Sequence, residues 1–262
     1  MKTLIFLISF LNTLALAESS MIQAMKEQQL IETGHQAFLN RCSGCHGQAA
    51  DGNGPASVML NPKPRNLVSG SFKFHSTSSG VLPNVEDLMK TLNQGVIGTS
   101  MPSFREVSEQ ERLAIVMYVR SLRPDFKETL ADQIPLNIPR PPKDIFSNKT
   151  GLLGAAKKGR AHYVKACILC HGEKGMGNGP SAAELTDADN QPIKPANLRL
   201  PYIKSGKTPQ DLFKAITVGL DGSPMPGFET LFSEAQRWEL VAYVYYLRGV
   251  EAGIYNEGDK IE

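Results

Sequence analysis

The sequence of 262 residues has few cysteines, one tryptophan and almost no net charge. Its four cysteines fall in two short motifs, and aromatic residues make up only 7%. The 28 basic and 26 acidic residues leave a formal charge of +2, which excludes the strongly basic field of a nucleic-acid-binding protein. Hydrophobic residues make up 41%, enough for ordinary globular cores. We therefore expect a globular protein with no nucleic-acid partner.

Only the N-terminal segment forms a long apolar run. Lys2 supplies a positive charge, residues 4–16 are mainly apolar, and Ala15-Leu16-Ala17 has the small-x-small pattern of a signal-peptidase site. A run of about 13 apolar residues is short of the roughly 20 that span a bilayer, which disfavours the alternative of an uncleaved anchor. We predict a signal peptide over residues 1–17, export to the periplasm, and a mature chain with no membrane span.

The rest of the sequence consists of two copies of one pattern. Gly34–Gly47 matches Gly159–Gly172 at an offset of 125 residues, and further blocks follow in the same order. The second copy carries six extra residues around Asp187–Gln191. Each copy has about 100 residues, a normal size for a domain. We predict a first domain over residues 21–123, a Pro-rich linker over 124–150, a second domain over 151–249 and a C-terminal tail over 250–262.

Local patterns predict helices at both ends of each copy. Ser108-x-x-Glu111 and Ser233-x-x-Gln236 are capping-box signatures, and each precedes an apolar run. Residues 21–41 and 154–167 contain no proline and lead into the cysteine motifs, so we expect helices there. Because no run alternates with a period of two, the predicted fold class is all-α with long irregular loops.

Each copy contains one Cys-x-x-Cys-His motif. Residues three and four apart share a face of a helix, so both thiols can reach one edge of a porphyrin while the histidine faces its iron. This pattern is the attachment site of c-type haem. A redox disulfide or half of a zinc site would explain the cysteines but not the histidine. We predict two covalently bound haem c groups, attached at Cys42, Cys45, His46, Cys167, Cys170 and His171.

Two methionines recur at matching positions. Met101 and Met225 each precede a proline in a Gly-rich loop, where the usual role of methionine as core filler does not explain the repeat. We predict that they are the sixth ligands of the two irons; a thioether ligand favours the ferrous form. The three histidines outside the motifs have no counterpart in the other copy, and we expect them on the surface or in loops: His35, His75 and His162.

With these motifs the sequence resembles the class I c-type cytochromes, arranged as a two-domain dihaem cytochrome c. The resemblance covers nearly all of residues 30–124 and 150–249. It implies two tandem cytochrome c-like domains, in each of which a proline carbonyl accepts the proton of the axial histidine; Pro55 and Pro180 match that role. It also implies that the first and last helices of each domain cross at a glycine beside aromatic residues: Gly34, Phe38 and Tyr118 in one copy, and Gly159, Tyr163 and Tyr243 in the other.

The leading functional hypothesis is an electron carrier between other redox proteins, with no catalytic activity of its own. One alternative is a dihaem enzyme of the peroxidase or thiosulfate-oxidising type. A peroxidase needs one open iron, whereas the two methionine loops are alike, and dihaem thiosulfate dehydrogenases use a cysteine ligand, for which no fifth cysteine exists. Arg65, which is Ala196 in the second copy, is the best hint of unequal haems, but drift of a surface residue is the favoured explanation of this difference. A further alternative is an electron-transfer subunit of a larger complex.

Overall fold

The computed structural model describes residues 2–128 and 134–256, and the side chains of 18–126 and 134–256. Over this part of the chain it consists of helices and loops and has no β-strand, only two isolated bridges, which confirms the all-α fold class. Within the described residues, no helix is long and apolar enough to cross a membrane. The predicted signal peptide lies entirely among residues whose side chains are not described, and it stays a prediction.

Ten helices occupy the described residues, five in each half of the chain, and each cysteine motif is followed by a single 3-10 turn. The first half contains α1 (Lys2–Arg41), α2 (Ser43–His46), the 3-10 turn Ser57–Met59, α3 (Val85–Gln94), α4 (Glu109–Ser121) and α5 (Asp125–Glu128). The second half contains α6 (Lys143–Phe146), α7 (Lys149–Ala166), α8 (Ile168–His171), the 3-10 turn Ala182–Glu184, α9 (Pro209–Val218) and α10 (Glu234–Glu251).

The helix starts follow local capping, with one departure from the prediction. Ser233 and Gln236 form the full capping box at the start of α10. At the start of α4 the Ser108 side chain accepts a hydrogen bond from the amide of Glu111, but the reciprocal bond is missing. The carboxylate of Glu111 instead forms an ion pair with Arg41, at 2.7 Å, and so ties α4 to the end of α1.

The first and last long helices of each half cross at a glycine, as the resemblance implied. A Cβ atom at Gly34 of α1 would overlap the backbone carbonyl of Ala114 in α4, and one at Gly159 of α7 would overlap that of Glu239 in α10. Aromatic rings pack beside each crossing. Their centroids are 5.2 Å apart for Phe38 and Tyr118, and 5.0 Å apart for Tyr163 and Tyr243.

Each half builds its own hydrophobic core around this crossing. The first core includes Phe38, Leu92 and Val116, and Phe126 from α5 joins it. The second core is larger and is centred on Trp238, which stacks on Phe213 with ring centroids 4.3 Å apart. The two clusters share no residue, so each half has a hydrophobic core of its own.

The two halves meet through equivalent helices. Lys90 of α3 contacts Asp211 of α9 at 2.7 Å, and Lys214 of α9 lies 4.0 Å from Asp87 of α3. Asp87 and Lys90 correspond in the duplication to Asp211 and Lys214, because both pairs are separated by 124 positions. The contact therefore has the reciprocal form of a two-fold interface, in which each helix uses the same surface.

The Pro-rich segment between the halves is less extended than its prolines predict. It contains the single-turn helices α5 and α6, and α7 already begins at Lys149, where the Asn148 side chain caps its first turn. Beyond the undescribed residues 129–133, the amide of Leu136 donates a hydrogen bond of 2.7 Å to the carbonyl of Ser76. Leu136 therefore contacts the first half, whereas Ile138, Ile145 and Phe146 of the same segment pack against the second core.

Replacing Gly159 with alanine is expected to lower the free energy of unfolding by about 2 kcal/mol, since the added methyl group has no room against α10. Gly154→Ala is the matched control on the same helix, because nothing lies within 4 Å of a Cβ atom there. That change is expected to raise stability by up to about 1 kcal/mol through helix propensity. Denaturant titration of the two variants checks the pair, and equal effects would contradict the close crossing.

Candidate haem sites

Both cysteine motifs lie at a break between a long helix and a short one. Cys42 follows the end of α1 and precedes α2, and Cys167 stands in the same place between α7 and α8. Their backbone angles agree, with φ −114° for Cys42 and −117° for Cys167. The amides of His46 and His171 each donate 2.9 Å hydrogen bonds to the carbonyl of the cysteine four residues earlier. This closed turn places the first cysteine and the histidine on one face.

The histidines of the two motifs bond to backbone carbonyls that differ from those expected. Nδ1 of His46 lies 2.9 Å from the carbonyl oxygen of Arg65, and Nδ1 of His171 lies 3.0 Å from that of Ala196. The expectation that Pro55 and Pro180 provide these carbonyls is therefore wrong. Both acceptors come from the duplicated Lys-Pro-x-Asn-Leu segment. Because the acceptor is main chain, the difference between arginine and alanine leaves the bond intact.

The loop that contains Pro55 has a different role. Its amides, rather than its carbonyls, face the cysteine motif: Gly52 donates to the carbonyl of His46 at 2.8 Å, and Gly54 donates to that of Cys45 at 3.1 Å. The second copy repeats these bonds from Gly177 and Gly179. A Cβ atom on Gly54 would come within 2.5 Å of the carbonyl oxygens of the motif. Glycine is therefore required for the loop to lie so close.

These bonds set the protonation state of the two imidazoles. A carbonyl only accepts hydrogen bonds, so Nδ1 must carry the proton and Nε2 keeps its lone pair. Burial lowers the pKa of both His46 and His171, which favours the neutral ring. A neutral imidazole with a free Nε2 is the form that binds iron.

The four cysteine thiols form no disulfide, and burial favours the protonated thiol at Cys42 and Cys167. All four cysteines are unpaired. Burial raises the pKa of the Cys42 thiol to about 11 and that of Cys167 to about 12. Among the described residues, no group of three or more His, Cys, Asp or Glu side chains could hold a bare metal ion, so the zinc alternative lacks its second half there.

The two methionine loops share one backbone hydrogen-bond pattern. The amide of Val96 donates to the carbonyl of Met101, and that of Leu220 donates to the carbonyl of Met225, both at 3.0 Å. Inside each loop a hydroxyl closes the turn, with 2.7 Å from Thr99 Oγ1 to the Val96 carbonyl and 2.6 Å from Ser223 Oγ to the Leu220 carbonyl. Met101 packs against the first core, and Met225 is partly buried.

In each half the sequence supplies two thiols, a neutral imidazole and a thioether, which is a donor set suited to covalently bound haem. Residues 31–123 match the family described as cytochrome c, and residues 154–244 match the family described as cytochrome c oxidase, cbb3-type, subunit III. The chain is also 34% identical to a solved chain of the Kuenenia stuttgartiensis reducing HAO-like protein complex Kustc0457/Kustc0458. The match covers 82% of this chain and 96% of the solved chain, with a TM-score of 0.75.

This chain belongs to the c-type cytochromes. It consists of two cytochrome c domains in tandem, carries two covalently bound haem c groups, and is a haem electron-transfer protein. Comparison with curated proteins found no significant match. Assignment of the cytochrome to this family agrees with the duplication, because each family match spans one copy with its own cysteine motif and methionine loop.

One polar contact distinguishes the two haem sites of this cytochrome. The hydroxyl of Tyr163 donates a buried hydrogen bond of 2.5 Å to the carbonyl of Gly172, the residue after His171. The first copy has Phe38 at the matching position, which provides no donor. From the sequence, Tyr163 was expected only to pack at the helix crossing. The sequence feature that could have indicated this bond is the difference between Phe38 and Tyr163 at matching positions of the two copies.

Changing Tyr163 to phenylalanine is expected to lower the free energy of unfolding by about 1–3 kcal/mol, because the buried Gly172 carbonyl loses its donor. Tyr245→Phe is the control, since its hydroxyl bonds to the Lys207 carbonyl at an exposed site, at 3.2 Å, where water replaces it. Chemical denaturation of the holo-cytochrome measures both variants. If Tyr163→Phe costs no more than the control, the hydrogen bond is unimportant for stability.

Proposed function

We propose that this cytochrome is a periplasmic carrier that passes electrons between two other redox proteins through two haems, each with one histidine and one methionine ligand. The observation that supports this most strongly is the repeat of the whole site: both histidines have a free Nε2, and both methionine loops have the same hydrogen bonds. The first haem would be held by Cys42, Cys45, His46 and Met101. The second would be held by Cys167, Cys170, His171 and Met225.

The iron of each haem supplies one-electron oxidation and reduction when it is bound. The protein residues set its position and its preferred oxidation state. Thioether bonds from the two cysteines of each motif would prevent loss of the group. The bonds to Arg65 and Ala196 orient the imidazoles, and methionine ligation would favour the reduced form.

The equivalence of the two methionine loops favours a carrier over a dihaem enzyme. A peroxidase-type division of labour requires one iron whose sixth position is open or easily opened. Here both loops place a methionine before a proline and both close their turn with a hydroxyl, Thr99 in one and Ser223 in the other. This likeness of the two loops supports the same kind of sixth ligand for both irons.

Replacing Met225 with alanine is expected to open the second haem alone, and Met101→Ala the first alone. In each variant the methionine-to-iron absorption band should fall by about half, and one of two low-spin ferric signals should become high-spin and bind cyanide. Optical and EPR redox titration of the purified holo-protein measures both effects. Met176→Ala is the control, because this methionine is 45% exposed. A full band in both ligand variants would refute methionine ligation.

A second candidate role is that of an electron-transfer subunit in a larger oxidoreductase complex. The match to a chain of a reducing HAO-like protein complex favours this role, because it extends over 96% of that chain. Such a subunit would use the same two haems as a free carrier. The difference is whether one of the redox partners stays bound.

Both the location and the state of assembly are testable on native protein released from the periplasm. We expect the haem-stained chain in that fraction, with Glu18 as its first residue, because signal cleavage follows Ala17. Native mass measurement separates the two roles: the mass of one chain supports the carrier, and a stable assembly with a second haem protein supports the subunit. A chain that keeps residues 1–17 and stays with the membrane would contradict the predicted location.

A further inference from the structure

The second methionine loop contacts the other domain. A Cβ atom built on Gly222 in this loop would lie 2.7 Å from the Cβ atom of Ser71 in the first domain. At Gly98, the matching glycine of the first loop, no described atom lies within 4 Å of such a Cβ atom. The two loops therefore share their internal hydrogen bonds but not their surroundings.

Asp221 makes the main polar contacts across this boundary. Its carboxylate accepts hydrogen bonds from the amide of Gly80, at 2.9 Å, and from the hydroxyl of Ser79, at 3.2 Å. Both donors belong to the first domain, and the side chain of Asp221 is 18% exposed. The first loop has Ile97 at the matching position, which accepts no hydrogen bond. This interaction is therefore specific to the second haem site.

His75 completes the contact from the first domain. It lies in a loop, one of the two kinds of position expected for it, but its side chain is fully buried, and its Nε2 lies 3.2 Å from the carboxylate of Asp221. The other ring nitrogen lies 2.9 Å from the hydroxyl of Thr77, which fixes the ring plane. His75 has no counterpart in the second copy, so the reciprocal symmetry of α3 and α9 is broken here.

The inserted residues of the second copy hold the loop from its own domain. The amide of Ala188 donates a hydrogen bond of 3.1 Å to the carbonyl of Gly222. The neighbouring Asp189 forms an ion pair of 3.4 Å with Arg65 of the first domain. Gly222 therefore lies between the insertion and Ser71, four residues after the end of α9 and three before Met225.

We infer that Asp221 is a positioning residue through which the first domain holds the second methionine loop, so that Met225 is harder to displace from its iron than Met101. Displacing a methionine ligand requires its loop to move. The second loop must break contacts with the first domain to do so, and the first loop has no matching acceptor at Ile97. The inference rests on the proposed methionine ligation. It makes the first haem the one that external ligands reach more easily.

The test uses ferric holo-protein in which only one methionine ligand remains. Imidazole is titrated into Met101→Ala, which reports on Met225, and into Met225→Ala, which reports on Met101, while the methionine-to-iron band is followed. We expect half-displacement of Met225 to need at least about tenfold more imidazole than that of Met101, because charge-assisted hydrogen bonds are lost. Adding Asp221→Ala should lower the imidazole concentration for half-displacement of Met225 until most of that difference is gone. The same change should leave the concentration for Met101 unchanged within about twofold.

Ser79→Ala is a milder second variant, since it removes one donor and leaves the Gly80 bond in place. It should also lower the imidazole concentration that displaces Met225, by a smaller factor than Asp221→Ala does. This second variant keeps the inference testable if Asp221→Ala folds poorly. An unchanged Met225 titration in both variants, or an equal shift at Met101, would overturn the inference. If Met101→Ala shows no methionine band before imidazole is added, the ligand assignment and the inference fail together.

Discussion

The hydrogen bond from each axial histidine to a backbone carbonyl is the interaction on which both haem sites depend. It requires the proton on Nδ1 and so leaves Nε2 for iron. It also joins the helix that carries the cysteine motif to the following Lys-Pro-x-Asn-Leu loop. Because the acceptor is a main-chain atom, Arg65 and Ala196 serve equally well, and two copies whose side chains have diverged keep the same imidazole orientation.

The two domains share their internal contacts around this bond but differ in the contacts that each makes with the other domain. The glycine crossings, the amides that face the motifs and the hydroxyls that close the methionine loops occur in both copies. The domains also meet through reciprocal contacts of α3 and α9. The symmetry ends at His75 and Asp221, where only the second methionine loop is held by the other domain. Duplication thus produced two similar sites in unequal environments.

The predictions from sequence succeeded where the chemistry is local. The cysteine motifs, the capping box of Ser233 and the crossing at Gly159 depend on residues at fixed spacing or on a steric limit that only glycine meets. The predictions failed where a side chain bonds to a partner far away in the sequence or to a main-chain atom. Glu111 pairs with Arg41 across 70 residues instead of closing its own capping box. His46 bonds to the main-chain carbonyl of Arg65 rather than to that of Pro55.

By itself the sequence determined the helical class, the duplication and the two haem c groups, because each of these follows from a short pattern repeated in order. Ligation by Met101 and Met225 stays a prediction with a direct spectroscopic test. Only the tertiary structure decided which carbonyls orient the histidines, that His75 is buried, and that Asp221 reaches the first domain. These features join segments far apart in the chain, and no local spacing encodes which of them meet when the helices pack.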